Sequence, residues 1–187
     1  MSRDWNTVLQ EHLDAAGKLG VAGAALDAMA DVIIDCFNSG GRLYLFGNGG
    51  SAADAQHIAG ELLGRFKRDR RSLPATALTT DASTLTAIGN DLGYERVFER
   101  QLGGLVTKRD VVWALSTSGN SSNILLAVKL ADELGATTIG FTGQSGGNLA
   151  ELCTHVFRAP HESSDRIQEM HELAYHYICE RVEAAFV

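Results

Sequence analysis

The sequence predicts an α/β fold in which a five-stranded parallel sheet is covered by helices on both faces. Two observations carry this. Short, continuous apolar runs recur along the chain, each too uniformly apolar for a strand with one wet face. Between them lie stretches with helical spacing, and the order strand–helix–strand is that of parallel βαβ units.

The elements follow in order. Residues Asp4 to Ser39 are alanine-rich, and Val32, Ile33, Cys36 and Phe37 recur at helical spacing; Ser39-Gly40-Gly41 stops the pattern. Strand candidates are Arg42 to Phe46, Ala75 to Thr79, Val111 to Ser116, Thr137 to Thr142 and His155 to Arg158. Helical patterns between them cover Ala52 to Gly64, Ser83 to Ile88, Glu95 to Leu105, Asn123 to Leu134 and Asn148 to Leu152. A last amphipathic helix runs from Ser164 to Phe186. With two prolines and no low-complexity stretch, residues 1–187 read as a single domain: an N-terminal helical region at 1–40 and an α/β core at 41–187. Open parallel sheets bind ligands beyond the carboxyl ends of their strands, so functional residues are expected there.

Composition narrows the partners. The net charge of −7 argues against nonspecific binding of nucleic acid or of an anionic membrane. No apolar run is long enough to span a bilayer, and the first residues lack the pattern of a signal peptide. Cys36, Cys153 and Cys179 have no metal-type spacing and read as buried thiols in a reducing cytoplasm. The basic run from Arg65 to Arg71 reads as a solvated turn after a helix.

The candidate site begins at Gly47-Asn48-Gly49-Gly50-Ser51, between the first strand and the next helix. A glycine-rich turn ahead of a helix presents backbone N–H groups to an anion. It is neither the P-loop nor the dinucleotide pattern, and taken alone a plain tight turn explains it. Further along this helix, His57 and Glu61 are four residues apart and share a face. After the third strand, Ser116-Thr117-Ser118-Gly119-Asn120-Ser121 offers four hydroxyls in its first six residues, more than capping a helix requires. Phosphate binding is the better reading. Thr142-Gly143 ends another strand in the same manner. The last helix opens with Ser164-Asp165-Arg166-Ile167-Gln168-Glu169-Met170-His171, and His176 lies beyond; either histidine alone reads as structural or exposed.

Together these motifs resemble the phosphoheptose isomerase branch of the sugar isomerase (SIS) domain proteins. The resemblance runs in order from about Gly41 to the end of the last helix and includes Gly89-Asn90-Asp91. It implies a flavodoxin-like three-layer sandwich with N-terminal helices and a long C-terminal helix. It also implies substrate contacts at Asn48, Gly49, Gly50, Ser51, Glu61, Asn90, Asp91, Ser116, Thr117, Ser118, Ser121, Asp165 and Gln168. Glu61 matches the family's general base and His176 its acid, while His57, Glu61, Gln168 and His176 match positions that hold zinc. A cytoplasmic homotetramer, using the helical region 1–40 in assembly, is likewise implied. The reaction implied is conversion of sedoheptulose 7-phosphate to D-glycero-D-manno-heptose 7-phosphate, a first step toward nucleotide-activated heptose. Alternatives are a non-catalytic SIS protein that binds a partner such as a replication initiator, and an isomerase of another sugar phosphate.

The residue types suit the chemistry. Moving a proton between adjacent carbons through an enediol needs one base and one acid, each typically worth ~10²–10⁴-fold. Gln168 and His176 are eight residues apart, ~12 Å along a straight helix. To share an ion, their side chains must lean together, the helix must be irregular, or different chains must contribute.

Overall fold

The computed structural model describes residues 4–187. Its elements are α1 (Trp5–Gly17), α2 (Gly23–Asn38), β1 (Leu43–Gly47), α3 (Gly50–Leu63), β2 (Ala75–Ala77) and α4 (Ala82–Leu92). They continue with α5 (Val97–Leu105), β3 (Val111–Leu115), α6 (Ser122–Glu133), β4 (Thr137–Thr142), α7 (Leu149–Leu152), β5 (His155–Arg158) and α8 (Ser164–Ala184). The N-terminal helical stretch is split by a 3-10 turn over Lys18–Val21, where Gly17 and Gly20 weaken the helix.

All strand pairs are parallel, in the order β2-β1-β3-β4-β5. This is the five-stranded, two-faced sheet expected. Each residue of β1 and β3 is buried, as the uniform apolar runs require. Alternate residues serve opposite faces. Leu43, Leu45, Trp113 and Leu115 join a core with residues of α2, α3 and α8, whereas Tyr44, Phe46, Val112 and Ala114 join one with residues of α5 and α6. The three-layer sandwich follows.

Strand order reverses between β1 and β3, whose loops lead to helices on opposite faces of the sheet. The carboxyl ends of these two strands therefore splay their connections apart and leave a crevice. The glycine loop after β1 and the serine loop after β3 both lie there.

Two local features depart from expectation. Helix α3 starts at Gly50 rather than Ala52, because Gly49 turns the chain with φ +56° and the helix begins at once. The basic segment is not merely a solvated turn. The Arg70 side chain is fully buried, and its guanidinium donates to the backbone oxygens of Glu61, Leu62, Gly64 and Arg71. Lys67 and Arg68 remain exposed.

Candidate active site

Helices α3 and α8 pack against one another on one face of the sheet. On α3, His57 Nε2 lies 3.0 Å from Glu61 Oε1, as their i, i+4 spacing permits. On α8, Gln168, Glu172 and His176 follow at the same spacing. The rings of His57 and His176 meet edge to face with centroids 5.0 Å apart. Tyr175, fully buried, places its hydroxyl 3.0 Å from His57 Nδ1. Burial pushes this phenol far above its usual value, and the neighbouring Asp54, Glu172 and Glu61 charges add to the effect. The Tyr175 hydroxyl and the Glu61 carboxylate thus flank the two ring nitrogens of His57, and an ion bound through either nitrogen would replace that contact.

His57, Glu172 and His176 bring ligand atoms within 4.8 Å of one another, forming a cluster that can hold a metal ion. Two imidazoles and a carboxylate are a donor set suited to a divalent ion with an open coordination position. Gln168 sits one turn from Glu172 toward the start of α8. Its Nε2 donates to Asp54 Oδ1 at 3.2 Å, which leaves the amide oxygen facing Gly50. Helix α8 is regular from Ser164 to Ala184, and Glu172 bridges the two-turn gap between Gln168 and His176. Asp54 is buried, with Oδ2 lacking any hydrogen-bond partner. Burial raises its carboxyl above the usual range; the hydrogen bond from Gln168 opposes this, while the Glu172 charge adds to it.

A cavity of about 50 Å³ lies at the carboxyl ends of β1 and β3, lined by Asn48, Ser51, Leu115, Ser116, Thr117 and Ser121. Its walls are neutral donors. Ser121 occupies the N-cap of α6, yet its hydroxyl makes no capping bond and instead lies 3.4 Å from Ser116 Oγ. Asn48 and Asn123 exchange two side-chain amide hydrogen bonds of 2.9 Å, which tie the loops after β1 and β3 together. The Tyr94 hydroxyl also donates to Asn48 Oδ1.

Other expected residues fall elsewhere. The Ser118 hydroxyl accepts from Asn120 N, and Ser118 lines a separate cavity of about 300 Å³ with Gln144 and His161. Asn90 and Asp91 are bonded to each other at the exposed end of α4. Asp165 is exposed and accepts from the Ser163 hydroxyl, which lowers its pKa. None of these four lines the small cavity. Sequence reasoning missed Glu172, Tyr175, Asp54 and Asn123. Of these, only Glu172 left a signal: Glu172-x-x-x-His176 mirrors His57-x-x-x-Glu61.

The SIS domain family matches residues 15–143. The phosphoheptose isomerase of Aquifex aeolicus is 53% identical over 155 residues, spanning 83% of this chain and 81% of the relative. That of Bradyrhizobium sp. (strain BTAi1 / ATCC BAA-1182) is 47% identical, spanning 100% and 98%. The chain belongs to the phosphoheptose isomerase branch of the SIS domain family. The structure of phosphoheptose isomerase GmhA from Neisseria gonorrhoeae superposes with a TM-score of 0.90 at 38% identity, covering 96% of each chain. The chain is thus an isomerase, and its class is that of the sugar-phosphate isomerases. No helix among the described residues of the isomerase is long and apolar enough to cross a membrane.

Proposed function

We propose that this isomerase converts sedoheptulose 7-phosphate into D-glycero-D-manno-heptose 7-phosphate through an enediol. The observation that carries the reading is the meeting of His57, Glu61 and His176 where α3 packs on α8, together with a cavity walled by neutral hydroxyls and amides at the start of α3. The phosphate enters the cavity and is held by the Ser51, Ser116, Thr117 and Ser121 hydroxyls, which suits an acidic chain because the donors are local. The sugar's carbonyl end then extends toward α3 and α8. Glu61 removes the carbon-bound proton, with its carboxylate aimed by His57, and His176 protonates the neighbouring oxygen. The amide oxygen of Gln168 is available to a substrate hydroxyl.

The donor set fits zinc, and His57, Glu172 and His176 would hold it, with Glu61 and Gln168 as neighbouring donors. When bound, the ion supplies Lewis-acid polarisation of the carbonyl. One ring nitrogen of His176 suffices for such an ion, which leaves the other to carry a proton. The isomerase works in the cytoplasm as a homotetramer in this reading. The exposed stripe Trp5, Leu9 and Leu13 on α1, with Leu173 and Tyr177 on α8, supports assembly through the terminal helices.

The test is turnover of sedoheptulose 7-phosphate by chelated and by zinc-reloaded protein, with Glu61→Gln alongside. A heptose 7-phosphate product that Glu61→Gln cannot form, at unchanged sugar-phosphate affinity, is the expected result. Binding without turnover in the unaltered protein would overturn the reading in favour of a regulatory role.

A further inference from the structure

The basic segment after α3 acquires a purpose from its partner. Glu183, on the last turns of α8, is 1% exposed. Its Oε1 accepts from Phe66 N at 2.8 Å, and its Oε2 accepts from Lys67 N at 2.8 Å and Arg68 N at 3.0 Å. The buried Arg70 guanidinium completes the surroundings, with Nε 3.6 Å from Oε1. Its terminal nitrogens grip the end of α3, including the Glu61 carbonyl at 2.7 Å. A buried carboxylate is costly unless charge and hydrogen bonds compensate it, and here both do. This arrangement fixes the path of residues 66–68 against α8.

What the fixed segment does is visible at Phe66. Its ring lies nearly parallel to the imidazole of His176, with an interplanar angle of 17° and centroids 5.5 Å apart. Phe66 therefore stacks offset over part of one face of the ring, while Tyr175 and His57 meet that ring edge-on. His176 and Glu183 are seven residues apart on α8, two turns along the same side. One helix thus carries both the imidazole and the anchor of the segment that covers it.

We propose that Glu183 is a positioning residue of the isomerase: by binding the backbone of residues 66–68 it holds Phe66 flat on His176 and so sets the orientation of that imidazole. The proposal rests on the reading above for the proton role of His176, but the clamp can be observed without that role. Misplacing a reacting group by ~1 Å can cost ~10²-fold in rate, so a loosened ring should appear in kcat rather than KM.

The experiment uses zinc-loaded, full-length protein with ring-labelled histidine, and His176→Asn assigns the His176 resonance. A phenyl ring stacked this closely shifts the imidazole protons upfield by its ring current. Phe66→Leu should abolish that shift, Phe66→Tyr should keep it, and Glu183→Gln should reduce it. Its amide retains one acceptor oxygen and turns an NH2 toward N–H groups that need acceptors. In parallel, kcat for sedoheptulose 7-phosphate should fall ~10-fold or more in Phe66→Leu and Glu183→Gln. KM should change little, and Phe66→Tyr should retain activity. A Glu183→Gln protein with the unaltered resonance and kcat overturns the proposal. A shifted resonance with unchanged kcat supports the clamp and removes His176 from the reaction, so the two readings fail separately. If Glu183→Gln does not fold, the Leu and Tyr variants at the half-exposed Phe66 carry the test. There, equal resonances in both would overturn the stacking.

Discussion

Gly50 has no room for a side chain. A Cβ built there would lie 2.3 Å from Gln168 Oε1. Gly50→Ala should therefore displace the Gln168 amide from Asp54 and lower kcat by ~10-fold or more, at little cost to folding because Ala suits the first turn of a helix. Steady-state kinetics with a thermal melt checks both halves. At the cavity, Ser116→Ala and Ser121→Ala should each raise KM for the sugar phosphate ~10-fold or more, since a hydrogen bond to a charged group is worth ~1.5–3 kcal/mol; the effect on kcat should be smaller. Ser118→Ala should raise KM less than either, because Ser118 lies outside the lining of that cavity and its hydroxyl accepts from Asn120 N. At this scale the sequence reveals residues whose type and spacing speak locally, such as the glycine turn and His57 with Glu61. It is silent on Asn123 and Tyr175, whose meaning depends on what the fold places opposite them, an asparagine 75 residues away and a histidine 118 residues away.

Helix α8 presents chemistry on two sides. His176 and Glu172 face α3, while His171 is fully buried against Phe141 and Phe157 and hydrogen-bonds through Nε2 to Thr142 O. Its Nδ1 is buried without a partner. Burial lowers the His171 pKa from 6.5 to about 4, only partly opposed by the Thr142 bond. The sign follows directly. Between these values the unfolded chain binds a proton that the folded one refuses, so stability is full above pH 6.5 and falls as pH drops toward about 4. The loss is on the order of 3 kcal/mol. His171→Gln, which can still donate to Thr142, should flatten this part of the stability–pH curve measured by urea titration at pH 7 and pH 4.5. Element types were readable throughout, because continuous apolar runs and helical periodicity are local signals. Boundaries were less so. The start of α3 depended on the positive φ of Gly49, and the exposed first turns of α8 gave no hint that Arg166 would be buried against Val8.

The molecule as a whole is organised by its two cores. Trp113 on central β3 is fully buried and meets Phe141 edge to face at 4.9 Å. Trp113→Ala should cost about 3–5 kcal/mol by calorimetry or chemical denaturation. On the outside, Trp5 and Leu13 are 72% and 53% exposed. If the proposed tetramer assembles through that stripe, Leu13→Glu should lower the sedimentation coefficient toward smaller species; an unchanged coefficient would place the contact elsewhere. Parallel pairing was legible in the alternation of strands and helices. The order β2-β1-β3-β4-β5 was not, since periodicity is blind to which strands become neighbours, and with it went the location of the crevice. The fate of the basic segment was hidden for the same reason: its anchor lies more than 110 residues away.

The proposed reacting pair spans the chain from Glu61 on α3 to His176 on α8, and this has a meaning in time. During synthesis, every strand and the whole hydroxyl-lined cavity leave the ribosome before the second imidazole does. A nascent chain at that stage also lacks Ile167, Met170, Tyr175, Ile178 and Val182, so the face of its sheet that α2 and α3 share with α8 is only partly covered and adhesive. Docking of α8 completes that cover and the proposed catalytic set in a single event, so turnover would itself report that α8 has docked.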